Sequence, residues 1–119
     1  LKGDMTSFEN LRYSVGMRRE LESVEIENTL DHLGILRCRD LPARVLSAGQ
    51  RRRLAMSRIM LLGASLWILD EPFTNLDVSG VDLFSALIGD HVAAGGMAIL
   101  AAHQGLNVPG TRPRIAELN

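Results

Sequence analysis

Two short apolar runs, residues 66–69 and 97–102, flank a helical pattern and leave this chain few folds to adopt. Turn-forming residues bound each run: Ser65 and Pro72 around the first, Gly95-Gly96 before the second. Runs of this kind suit strands buried on both faces of a parallel sheet. Between them, Asp77 stands at an N-cap position ahead of Val81, Phe84, Leu87, Ile88 and Val92. Upstream, Ser47 and Gln50 have capping-box spacing and predict a helix from just after Ser47 to about Gly63. The order helix, strand, helix, strand from residue 47 onward predicts an α/β sheet with right-handed crossovers.

The first third is helical in pattern. Thr6 and Glu9 form another capping box, opening a segment with Phe8, Leu11 and Tyr13. Ser23 is the expected cap of a second helix carrying Val24, Ile26, Leu30 and Leu33, with Gly34 as its stop. Residues 35–45 read as a polar connection, and residues 114–118 as a weak edge strand. At 119 residues, 46% hydrophobic and 23% charged, the composition is that of one small domain. A net charge of −1 gives no reason to expect nucleic acid or an anionic membrane surface as a partner. The single cysteine, Cys38, excludes an intramolecular disulfide and reads as a buried thiol. The longest apolar stretch, residues 59–69, is interrupted and too short to span a bilayer. Lys2, Asp4 and Glu9 break any signal-like opening, so a cytoplasmic location is the default expectation.

The chemistry concentrates at two places. In Ser47-Ala48-Gly49, a hydroxyl and a close-approaching backbone begin a helix, an arrangement suited to phosphate. Arg51, Arg52 and Arg53 follow in its first turns, where cations oppose the helix dipole. A polyanion approaching that end would account for them; a solvated basic face is the plainer reading. At the second place, Asp70 and Glu71 end the run 66–69. Ligands of open α/β sheets gather at the carboxyl ends of strands. Asp70 is there the candidate holder of Mg²⁺, and Glu71 the candidate general base that polarises an attacking water. His103 follows the second run at the same end and joins Glu71 as a catalytic candidate. Asp77, on local grounds, is a helix cap. Trp67 reads as core packing, and His32 and His91 as solvated or satisfied side chains within helices.

Leu46-Ser47-Ala48-Gly49-Gln50, the stretch 66–72, Thr74-Asn75-Leu76-Asp77 and His103 together resemble the signature, Walker B, D-loop and H-loop of ATP-binding-cassette (ABC) ATPases. Residues 9–13, 66–73, 95–97 and 103–104 further resemble the haem-exporter ATP-binding subunits of cytochrome c biogenesis, the CcmA type. The resemblance implies the C-terminal part of a P-loop NTPase domain: a helical subdomain segment (1–45), the signature motif and its helix (46–63), and a partial parallel sheet (64–119). It implies ATP and Mg²⁺ as cofactors, transmembrane transporter subunits as partners, and a second ABC ATPase subunit in a head-to-tail dimer. Ser47, Gly49 and Gln50 would then serve ATP held by the opposite subunit, and Asp77 would lie at that dimer interface. His103 would steady the γ-phosphate and the attacking water. The protein would sit on the inner face of the cell membrane through its membrane partner.

No Gly-x-x-x-x-Gly-Lys-Ser/Thr string occurs, and the only lysine is Lys2. The Q-loop that the resemblance places upstream of Thr6 is missing too. Since the chain opens on Leu1, it reads as an N-terminally incomplete ABC ATPase, inactive alone. Two other classes stand beside a transport ATPase. One is a non-catalytic module that donates its signature helix to an intact partner. The other is an ABC ATPase of DNA repair or chromosome maintenance, which wants long insertions that the 15 residues between Gln50 and Leu66 do not provide.

Overall fold

The computed structural model describes residues 2–16 and 21–101. The chain divides into two compact units, Leu1–Ala64 and Ser65–Asn119. The expected strand at 114–118 and the last residue of the expected strand 97–102 lie outside the described residues.

Among the described residues the first unit holds the α-helices α1 (Ser7–Gly16), α2 (Ser23–His32) and α3 (Ala48–Leu62). Leu11, Val15, Ile26, Leu30, Leu33 and Leu54 are fully buried and form its core. Helix α1 begins with the expected reciprocal cap: the Glu9 N–H donates to Thr6 Oγ1 at 3.1 Å, and the Thr6 N–H to Glu9 Oε1 at 3.0 Å. The bonds from Thr6 hold the Glu9 carboxyl below its ordinary value, the backbone one most strongly. The second helix starts one residue earlier than Ser23 predicts. Glu22 is its N-cap, while Ser23 Oγ accepts a 2.8 Å bond from Arg12 Nη2.

Residues 35–45 are more than a polar connection. They form two 3₁₀ turns, Leu36–Cys38 and Ala43–Val45, and bury Ile35, Cys38 and Ala43. Their backbone clasps the start of α1, with the Ser7 N–H donating to Leu41 O at 3.2 Å and the Ala43 N–H to Met5 O at 2.9 Å. Buried Asn10 completes the clasp by donating to the carbonyls of Lys2, Met5 and Thr6 at 2.9–3.1 Å. These partners are distant in sequence, so local pattern does not announce them.

The second unit pairs β1 (Leu66–Asp70) in parallel with β2 (Met97–Ala101), joined by α4 (Val78–Ala93). Leu66 faces Met97 and Asp70 faces Ala101 across the ladder. Helix α4 buries Phe84, Leu87 and Ile88, and the sheet buries Trp67 and Leu69. The expectation of strands buried on both faces is not met. Leu66, Ile68, Met97 and Ile99 are 44%, 70%, 63% and 55% exposed, all large and apolar. Among the described residues the strands alternate instead: β1 has one face buried and the other open, and β2 one face half-buried and the other open.

Trp67 is anchored by His91 of α4, whose ring stacks on the indole at 3.8 Å and 7°. His91 Nε2 lies 2.8 Å from the Ser65 carbonyl and donates to it. Gly96 makes room for this: a Cβ there would lie 2.3 Å from His91 Nε2. Gly96→Ala is therefore expected to push the ring off Trp67 and destabilise the chain by about 1–3 kcal/mol. Urea unfolding followed by fluorescence of this single tryptophan measures it, and unchanged stability would contradict the packing. A second expectation concerns pH. Because the folded Glu9 pKa is lowered, its capping contribution is complete above the unfolded value near 4.5 and is lost as pH falls through the folded one. An NMR titration should place the Glu9 midpoint below 4.5 and show the Thr6 amide following it.

Candidate functional site

The turn at residues 47–50 forms as its spacing requires. Ser47 is extended, its Oγ accepts the Gln50 N–H at 3.1 Å, and its own N–H donates to Gln50 Oε1 at 2.9 Å. The capping box turns the Gln50 side chain back onto the backbone. Ser47 remains exposed, with its hydroxyl proton still available for donation. The amides of Ala48 and Gly49 fall in the first turn of α3, where helix geometry provides no intrahelical acceptor. Serine hydroxyl and first-turn amides together make a donor-rich turn suited to an anion.

The arginines that follow do not act as one group. Arg51 is exposed, but Arg53 is half-buried, and its Nη1 donates to the Leu33 carbonyl at 2.9 Å. Arg53 thus serves the C-terminal end of α2, where a cation complements the helix dipole. A polyanion at α3 is not needed to explain it.

In the second unit, Asp70 is the exposed last residue of β1, and Glu71 follows with φ = +48°. A non-glycine residue in this left-handed region costs about 1–2 kcal/mol. Three bonds hold the turn. The Glu71 N–H donates to the Ala101 carbonyl of β2 at 2.7 Å, and its carbonyl accepts the Thr74 N–H at 3.2 Å. Thr74 Oγ1 also donates to Glu71 Oε2 at 3.4 Å. Asn75 takes φ = +66°, which asparagine tolerates well. The turn ends at Asp77, which caps α4 by accepting the Gly80 N–H at 2.8 Å, as its local reading predicted.

The parallel register therefore brings Asp70, Glu71 and the end of β2 to one place, the carboxyl end of both strands. His103 lies outside the described residues. Ser47, Gly49 and Gln50 belong to the first unit, and Asp70, Glu71 and Asp77 to the second. Sequence reasoning missed Thr74 as a partner of Glu71; its place three residues on, at the end of a turn, was the available signal. Among the described residues no three His, Cys, Asp or Glu side chains cluster as a metal cage. Asp70, an exposed oxygen donor at a strand end, is of the chemistry that Mg²⁺ takes.

Residues 1–74 match the family model described as ABC transporter. The chain is 46% identical over 111 residues to the cytochrome c biogenesis ATP-binding export protein CcmA of Methylococcus capsulatus, covering 92% of this chain and 54% of that protein. It is 41% identical over 112 residues to the CcmA protein of Nitrosococcus oceani, covering 94% and 51%. The chain thus spans about half the length of the curated relatives it matches. Among solved structures, it resembles a chain in the complex of archaeal ribosomal stalk protein aP1 and ribosome recycling factor aABCE1. That match has a TM-score of 0.65 and 24% identity, and covers 85% of this chain and 20% of that one, a likeness of fold. The family model matches more than half of this chain's length, and the chain belongs to the ABC transporter family.

Proposed function

We propose that this chain contributes the signature turn and the hydrolytic carboxylates of an ATP-driven exporter, working in haem export for cytochrome c biogenesis. The observation that carries the catalytic part is Glu71, held in a left-handed conformation directly after a strand-ending Asp. Unfavourable backbone geometry of this kind concentrates where a side chain must be aimed. The transport process rests on the similarity to the CcmA proteins.

In this reading Glu71 accepts a proton from the water that attacks the γ-phosphate, and Asp70 orients the Mg²⁺ hydration shell. When bound, Mg²⁺ neutralises charge on the β- and γ-phosphates. His103 steadies the γ-phosphate and the attacking water. The Ser47 hydroxyl and the first-turn amides of α3 donate to the γ-phosphate of ATP held by a second ABC ATPase subunit, arranged head to tail. Gln50 keeps Ser47 in its capping geometry, and Asp77 lies at the subunit interface while capping α4. The helical segment before residue 46 meets a transmembrane partner, which places the assembly at the inner face of the cell membrane. Closure of the dimer around ATP shifts that partner, and hydrolysis reopens it.

A second reading rests on the donor-rich turn at Ser47 alone. It makes the chain a signature donor with no hydrolytic role. Glu71→Gln in a full-length domain that supplies the phosphate loop separates the two. Hydrolysis should fall about a hundredfold or more with ATP affinity retained; unchanged hydrolysis would remove Glu71 as the base. Glu71→Gly should behave differently in the 119-residue chain. It relieves the left-handed strain and should raise stability to urea by about 1 kcal/mol. The 119-residue chain itself should show no measurable ATP binding by calorimetry, and tight binding there would overturn the assignment of its missing phosphate cradle.

A further inference from the structure

We propose that Arg53 is a positioning residue for the signature turn, a latch that fixes the start of α3 against the end of α2. Helix α2 closes with a Schellman arrangement. The Ile35 N–H donates to Leu30 O at 2.9 Å, and the Gly34 N–H to Asp31 O at 2.9 Å. Gly34 takes φ = +73°, which such a closure requires. These bonds leave the carbonyl of Leu33, the last residue before Gly34, to be met from outside the motif. Arg53 Nη1 meets it at 2.9 Å across twenty residues of sequence.

The contact is fitted as well as bonded. A Cβ on Gly34 would lie 3.2 Å from Arg53 Nη1, a tight approach that would make the guanidinium give by a few tenths of an ångström. Leu33 and Leu54, on either side of the bond, are fully buried. Arg53 belongs to the second turn of α3, and Ser57 Oγ donates to its carbonyl at 2.9 Å. The guanidinium therefore ties the turns immediately after the capping box to a carbonyl whose position is set by another helix. Apolar packing alone lets a helix slide along its axis or roll by small amounts. A charge-assisted bond to one carbonyl removes that freedom at the end of α3 that bears Ser47 and Gly49.

The functional meaning rests on the reading of Ser47 and Gly49 as phosphate contacts, but the test does not need nucleotide, so the two can fail separately. Hydrogen exchange of the 119-residue chain, resolved by residue with NMR, compares the amides of Gln50 and Arg51 with those of β1 and β2. Arg53→Gln should lower protection at Gln50 and Arg51 by about tenfold or more, with the sheet unchanged. Arg53→Lys keeps a cation and one donor, and should rescue most of this, leaving about a threefold selective loss. Arg51→Gln, at an exposed arginine in the same turns, should change neither set. If Arg53→Gln unfolds the chain, the selective loss in Arg53→Lys decides the matter. Uniform loss across both units, no loss at Gln50, or equal effects of Arg51→Gln and Arg53→Gln would each overturn the latch.

Discussion

An α-helix cannot satisfy its own first amides and last carbonyls, and nearly every informative turn in this chain forms where that shortfall is met. Thr6 with Glu9, Ser47 with Gln50 and Asp77 with Gly80 supply the N-terminal ends. Gly34, Gly63 and Arg53 supply C-terminal ones. Ser47 and Asp77 are also the residues that the proposed mechanism assigns to nucleotide and subunit interface. The two roles are compatible for a physical reason. A side chain that accepts from the backbone is held in one rotamer, and a fixed rotamer is what recognition of a phosphate requires. Capping thus comes first, and the site is built on its geometry.

Parallel sheets are normally covered on both faces, because their crossover helices lie there. Here α4 accounts for the buried face with Trp67 and Leu69, while Leu66, Ile68, Met97 and Ile99 present an apolar face to solvent. Their side chains belong to the interior of an α/β domain by composition. The alternating burial of β1 and β2 is thus a property of the surroundings these strands have, and it does not follow from their residues.

What the residues disclosed and what they withheld divide along range. Capping boxes span three residues, and the starts of α1 and α3 followed from them, as the start of α4 followed from the single cap Asp77. The two strands followed from their apolar runs and flanking turn residues. The start of α2 did not, because Ser23 is engaged by Arg12 while Glu22 takes the cap. The connection at residues 35–45 did not either, since its order comes from backbone bonds to residues 3–8. At the site, the identities of Asp70 and Glu71 were legible, and so was their place at a strand end. The left-handed backbone of Glu71 was not, because glutamate carries no compositional sign of it. Arg53 read as one of a basic triplet, and only its partner twenty residues away separates it from Arg51.

The bond from the Glu71 amide to the Ala101 carbonyl gives the turn a mechanical character. It joins the residue after one strand to the last residue of its neighbour, so Glu71 is tethered along the axis of β2. A displacement of that strand along its length loads the Glu71 backbone directly, while the Gly95-Gly96 turn lies at the far end of the same strand. The parallel pair thus carries the Glu71 backbone at its carboxyl end.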